Sequence, residues 1–122
     1  MQPPRAPRYT EKQRQGRLGE DQALAHLCRH GLTLIERNFG CKGGEIDLIM
    51  QDGQVLVFVE VRRRADMRHG GAAASVTPAK QRRLIIAAQV YLLRRKVVPV
   101  CRFDVIAIDG TALNWLKNAI EV

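Results

Sequence analysis

The sequence predicts an α/β domain, strands covered by helices, and three observations predict it. Asp52-Gly53 separates two strand-like runs, EIDLIM and VLVFVEVR, and such a dipeptide between apolar runs is the strongest short hairpin signal. Two other stretches, one starting near Thr10 and one near Thr77, space their apolar residues at helical intervals. A later run, VCRFDVIAID, again reads as a strand. At 122 residues the chain forms one domain, long enough to bury a real core.

Residues 1–9 are rich in Pro and Arg and offer nothing to bury, so they are expected to be a mobile basic arm ahead of a single domain at 10–122. The first helix starts at Thr10, whose spacing to Gln13 fits a capping box, and ends at Gly31. Within it Glu20, Ala23, Leu24 and Leu27 fall at i, i+3, i+4 and i+7, which puts an acid on the core stripe. Glu20 is then either a rim residue whose stem packs while its head reaches water, or part of a site. LTLIERNF reads as the first strand, and a Gly-rich turn at Gly40 to Gly44 follows.

With Asp52-Gly53 as the two-residue loop, Ile49 faces Leu56, Asp47 faces Phe58, and Glu45 faces Glu60. Opposed residues share a side of the sheet and alternation adds Arg62, so the acids gather on one face. Ile46, Leu48 and Met50 occupy the other face with Val55, Val57, Val59 and Val61. RRRADMRHGGAAAS lacks periodicity and reads as a loop or lid. Thr77-Pro78 then caps a second long helix, with Leu84, Ile85, Ala88 and Leu92 as its deepest stripe, and Pro99 ends the helical region. In the tail, Trp115 and Leu116 are expected to anchor on the core.

Twenty Lys and Arg against twelve Asp and Glu give a net charge of +8, which favours a polyanionic partner, nucleic acid first. No apolar run is long enough to span a membrane. Cys28, Cys41 and Cys101 lack C-x-x-C pairing and are read as reduced thiols of a cytoplasmic protein. The charged, Pro-containing N-terminus does not resemble an export signal. His26 and His30, one turn apart, have no third ligand nearby in sequence and are read as helix-surface residues.

Folding alone gives no reason to place Glu45, Asp47 and Glu60 in so apolar a hairpin. Converging carboxylates either take up protons or collect a cation. Magnesium suits such a place, since it is held by one or two carboxylates and completes its shell with water and substrate phosphates; manganese is the alternative ion. Metal, phosphate and positive charge together point to phosphodiester hydrolysis. The bland reading is a solvated strand end with Glu60 paired to Arg62; the clustering beside Phe58 favours the functional one. Arg62, Arg63, Arg64, Arg68, Lys80, Arg82 and Arg83 are the candidate phosphate contacts, able to position a duplex but not to read its sequence.

An acid at the end of one strand followed by Glu60-Val61-Arg62 at the end of the next resembles the Asp...(Asp/Glu)-x-Lys signature of the restriction-endonuclease-like superfamily, which includes archaeal Holliday junction resolvases. A wider set is more specific: Gly16, Gly19-Glu20, Arg37-Asn38, Gly44 to Ile49, Val57 to Val61, Lys80, Tyr91-Leu92, Arg102 to Val105 and Trp115. From residue 14 onward the chain is similar to the YraN-like family of small bacterial proteins. The resemblance implies a restriction-endonuclease-like core with a mixed central sheet. It implies Asp47, Glu60 and the Val61 carbonyl as metal ligands, and Glu20 as an acid supplied by the first helix. It also admits a homodimer.

One departure matters. The superfamily's Lys is Arg62 here, and Arg does not give up its proton in a protein. A cation-activated water that needs no side-chain base, or Lys80 reaching in from the second long helix, would supply the missing function. A DNA-binding module without catalysis is the alternative, as is a basic scaffold for an acidic protein partner.

Overall fold

The computed structural model describes residues 8–65 and 70–121. Most of the expected arm and Arg68 lie outside these residues. Helix α1 (Glu11–Arg29) begins at the expected capping box. The Gln13 N–H donates to Thr10 Oγ1 at 3.1 Å, and the Thr10 N–H donates to Gln13 Oε1 at 2.9 Å. His30 caps the other end, and Gly31 follows at φ +93°. Buried Gly19, Ala23 and Leu27 form the stripe that packs on the sheet.

Strands β1 (Thr33–Cys41), β2 (Gly44–Asp52), β3 (Val55–Arg64), β4 (Cys101–Asp109) and β5 (Ala112–Leu116) form one sheet in the order β1-β2-β3-β4-β5. β3 and β4 are parallel and the remaining neighbours antiparallel, so the sheet is mixed, as the resemblance implied. A parallel pair needs a crossover, here short α2 (Gly71–Ala74) and α3 (Pro78–Leu92). The sheet separates two cores. Ile49, Leu56, Phe58 and Phe103 pack with Leu84, Ala87, Ala88 and Tyr91 of α3, while Leu48, Met50, Val57, Val59 and Ile106 pack with Ala23 and Leu27 of α1. β3 and β4 are therefore covered on both faces, which accounts for their near-continuous apolar runs.

The hairpin turn sits one residue later than expected. Asp52 pairs with Val55, so Gly53 and Gln54 form the loop, and Ile49 faces Phe58 instead of Leu56. Gly53 takes the positive φ, +57°, at the first central position, where a type II′ turn wants glycine. Asp52 stays in the strand because its carboxylate pairs with Arg102 at 2.9 Å. The pairing shifts by two residues, an even number, so the parity of the two faces survives. Asp47 no longer faces Phe58, nor Glu45 Glu60.

Alternation also fails at one point. Ile46 belongs to the α3-side core and Leu48 to the α1-side core, although strict alternation puts both on one side. The break falls at Asp47, just beyond Leu48↔Val59, the last pair of the β2–β3 ladder.

Three further expectations need correction. The α3 stripe is Leu84, Ala87, Ala88 and Tyr91, with Ile85 and Leu92 only half-buried; Tyr91 is drawn inward by edge-on contacts with Phe39 and Phe58. Arg62, Arg63 and Arg64 are strand, not loop, because β4 pairs with β3 out to Arg64↔Asp109, and Ala72 joins the core. In the tail Leu116 is exposed and the deep anchor is Ile120, while half-buried Trp115 donates its indole N–H to Asp104 at 2.9 Å. Asp104 is the one fully buried charged residue among the described ones. Arg102 Nε at 3.0 Å, the Trp115 N–H and the Asn118 N–H all donate to it, so it closes the β4–β5 end of the sheet as a satisfied structural ion.

Candidate active site

At the end of the β2–β3 ladder the strands part, and the backbone N–H of Val61 loses its cross-strand partner. The Asp47 carboxylate takes that place, accepting from Val61 at 2.8 Å. Asp47 thus lies between the two faces, tied to the residue that follows Glu60. Glu60 itself points toward α3, since its neighbours Val59 and Val61 pack on the α1 side. Its side chain is 13% exposed. Together with Glu45, Arg62, Lys80 and Arg83 it lines a pocket of about 200 Å³.

Two half-buried acids side by side are costly, and both carboxyls are pushed upward. Burial pushes Asp47 up to about 6; the charges of Glu20 and Glu45 add to the rise and the Val61 N–H opposes it. Burial, then the Asp47 charge, pushes Glu60 up to about 8, against the pull of Arg62 and Lys80. On the cation side, Arg62 stands 3.8 Å from Glu60, and its Nε donates to Ser75 Oγ at 2.9 Å. The Ser75 hydroxyl in turn donates to the Ala72 carbonyl, so α2 fixes the guanidinium. Lys80, one turn into α3, has its pKa lowered by partial burial and by the Arg62 charge.

The approach of α3 to β2 holds this arrangement in place. A Cβ on Gly44 would stand 1.9 Å from the Arg83 carbonyl oxygen, so only glycine lets the helix lie this close to the strand. That approach carries Lys80 and Arg83 over Glu45 and Glu60.

The predicted residues fall into three groups. Glu60, Arg62, Lys80 and Arg83 come together, with Glu45 at their exposed edge and Asp47 beside them on the Val61 N–H, its charge felt by Glu60. Glu20 is near enough to raise the Asp47 pKa, yet its carboxylate also binds Arg37 at 3.4 Å. Arg63 and Arg64 line a second hollow, on the α1 side, and exposed Arg82 lines neither. Among the described residues no three His, Cys, Asp or Glu side chains form a metal-holding group. A pair of carboxylates is nevertheless enough for magnesium, which takes most of its shell from water and phosphate. Sequence reasoning overlooked the Val61 N–H as the Asp47 partner, Ser75 as the support of Arg62, and Gly44 as the helix seat. Only Gly44 left a trace in the sequence, within the Gly-rich turn.

Fold and site define a small mixed-sheet α/β domain with a carboxylate pair and clustered cations where its central strands part. The chain belongs to the Uncharacterised protein family UPF0102, whose model matches residues 19–108, and the YraN-like resemblance holds. It is 70% identical over 112 residues to the UPF0102 protein of Herminiimonas arsenicoxydans, covering 92% of this chain and 90% of that one. The UPF0102 protein of Janthinobacterium sp. (strain Marseille) is 65% identical, covering 92% and 91%, and that of Ralstonia pickettii 58%, covering 88% and 90%. Among the described residues no helix is long and apolar enough to cross a membrane.

Proposed function

We propose that this domain is a nuclease of the restriction-endonuclease-like class, hydrolysing phosphodiester bonds in DNA, branched DNA included, with a divalent cation. The observation that carries the reading is the half-buried pair Asp47 and Glu60, each raised by burial and by neighbouring acids, with Glu60 beside Arg62 and Lys80. Such a pair is relieved either by protons or by a cation, and the adjoining positive charge suits phosphate. Asp47, Glu60 and the Val61 carbonyl would hold magnesium or manganese. When bound, that ion would supply charge to the phosphoryl oxygen and acidity to an attacking water.

The chain's own groups divide the remaining work. Arg62, held by Ser75, offers a fixed guanidinium to a phosphate oxygen and keeps its proton. Lys80 is a second cation at the pocket, its pKa lowered by partial burial and by the Arg62 charge; in its neutral amine form it would accept a proton from the attacking water. Arg83 orients the strand. Glu20 brings a further acid from α1 whose charge raises Asp47, and it is held by Arg37.

A labelled four-way junction and a linear duplex, each incubated with protein and magnesium or manganese, test the reading. Cleavage is expected from the wild type, and from Asp47→Asn or Glu60→Gln roughly 100-fold less, a barrier rise of about 2.7 kcal/mol. Salt-dependent DNA binding without cleavage in either metal, unchanged in both variants, would establish the alternative, a binding module on an inherited fold. The basic composition alone supports that second reading.

A further inference from the structure

On the other side of β3 lies a second hollow of about 200 Å³, between its last residues and α1, and it differs chemically from the acidic pocket. Lys12, Gln15, Gly16 and Gly19 line it from the helix, Val61, Arg62, Arg63 and Arg64 from the strand, and no acid is among its lining residues. Gly16 leaves the helix surface open there, since a Cβ on it would meet nothing within 4 Å, while buried Gly19, one turn on, lets the Arg63 stem lie against the helix, where a Cβ would stand 3.3 Å from Arg63 Cβ. Arg63 Nε is buried without a hydrogen-bond partner among the described residues, and a buried unpaired donor is costly. Arg62 lines both this hollow and the acidic pocket, so the two join around the end of β3.

A cationic cleft beside an unpaired guanidinium N–H suits an anion with several acceptor oxygens. Chloride offers no directed acceptor, and a carboxylate offers two oxygens where a phosphate offers more. The volume equals about six or seven waters at roughly 30 Å³ each, which admits a phosphate group with some hydration. We infer that the cleft between α1 and the end of β3 is a phosphate-binding subsite adjoining the Asp47–Glu60 pocket. It holds one phosphate of a nucleic-acid strand, either a terminal monoester or an internal diester. This inference rests on the nucleic-acid reading above for the source of the phosphate, but not for the cleft's affinity for the group.

The test is run on the full chain in EDTA, so that neither metal nor cleavage contributes. Inorganic phosphate is titrated while the amide resonances of Gly16 and Gly19 are followed by NMR, in the wild type and in Lys12→Gln, an exposed residue whose change leaves the fold intact. Saturable shifts in the wild type, weakened at least fivefold in Lys12→Gln and in Arg63→Gln, are expected. Short oligonucleotides with a 5′-phosphate or a 5′-hydroxyl are then compared by fluorescence anisotropy. A fivefold preference for the phosphorylated end, lost in Lys12→Gln, assigns a terminal monoester. Equal affinities with a salt slope reduced by about one in Lys12→Gln assign an internal diester. Phosphate shifts with no oligonucleotide binding would leave the subsite standing and sink the nucleic-acid reading. Oligonucleotide binding untouched by Lys12→Gln and Arg63→Gln, with no phosphate shifts at Gly16 and Gly19, would overturn the subsite alone.

Discussion

Gly44→Ala is expected to destabilise the domain by on the order of 4 kcal/mol, enough to unfold much of a protein of ordinary stability. The new methyl carbon would stand 1.9 Å from the Arg83 oxygen, 2.9 Å from the Arg83 carbonyl carbon and 3.2 Å from the Ala87 nitrogen. All three are backbone atoms, so no side-chain rotation relieves the clash. The helix must lift off β2, and Leu84, Ala87, Ala88 and Tyr91 lose packing together. Gly40→Ala is the control, since a Cβ there meets nothing within 4 Å, and it should unfold in urea at the wild-type midpoint. A Gly44→Ala midpoint matching the control would contradict the close seat of α3. The lift also separates Lys80 and Arg83 from the acids, so any folded Gly44→Ala protein should have lost activity as well.

In metal-free buffer, stability is expected to fall as pH rises from about 5 to 9. A carboxyl whose folded pKa lies above its unfolded one binds a proton in the native state that the unfolded chain has released, and the native state loses ground as pH climbs through that interval. Glu60, raised from 4.5 to about 8, supplies on the order of 4 kcal/mol of this slope at about 1.4 kcal/mol per unit, and Asp47, raised from 3.8 to about 6, steepens its lower half. Glu60→Gln, neutral at every pH, should flatten the curve and be more stable than the wild type at pH 9. His26, lowered chiefly by burial, gives a term of opposite sign that both proteins share, so the comparison removes it. Urea unfolding at pH 5, 7 and 9 makes the measurement. Parallel pH curves for the two proteins would show that the Glu60 carboxyl ionises freely in the folded state.

Much of the fold was legible because its signals are local. The capping box at Thr10 and Gln13, the Thr77-Pro78 start of α3 and the apolar runs of β3 and β4 depend on neighbours within a few residues. The hairpin shows where locality ends. Asp52-Gly53 located the turn, but the choice of loop residues depends on Arg102, fifty positions on, which holds Asp52 in the strand. A slip of two residues kept the parity of the paired stretch from Leu48 to Asp52, but Glu45, Asp47 and Glu60 lie beyond it. Asp47 is the stronger case, because its position follows from the parting of two strands, and no alternation rule registers that. Arg62 to Arg64 looked like loop because their β4 partners come forty-five residues later. In the same way, nothing near Asp104 in sequence announced that Trp115 and Asn118 would enclose it.

The central claim is that Asp47 and Glu60 are kept close and half-buried to share a divalent cation. Calorimetric titration with manganese at pH 8, on the wild type and on Asp47→Ala, tests it most directly. The account expects a single saturable site in the wild type, with protons released on binding as Glu60 gives up its own, and loss of that site in Asp47→Ala with the fold intact by circular dichroism. Wild-type protein that takes up no manganese or magnesium, or takes it up equally in Asp47→Ala, would contradict the claim and leave the pair as a buried, proton-sharing element of the fold.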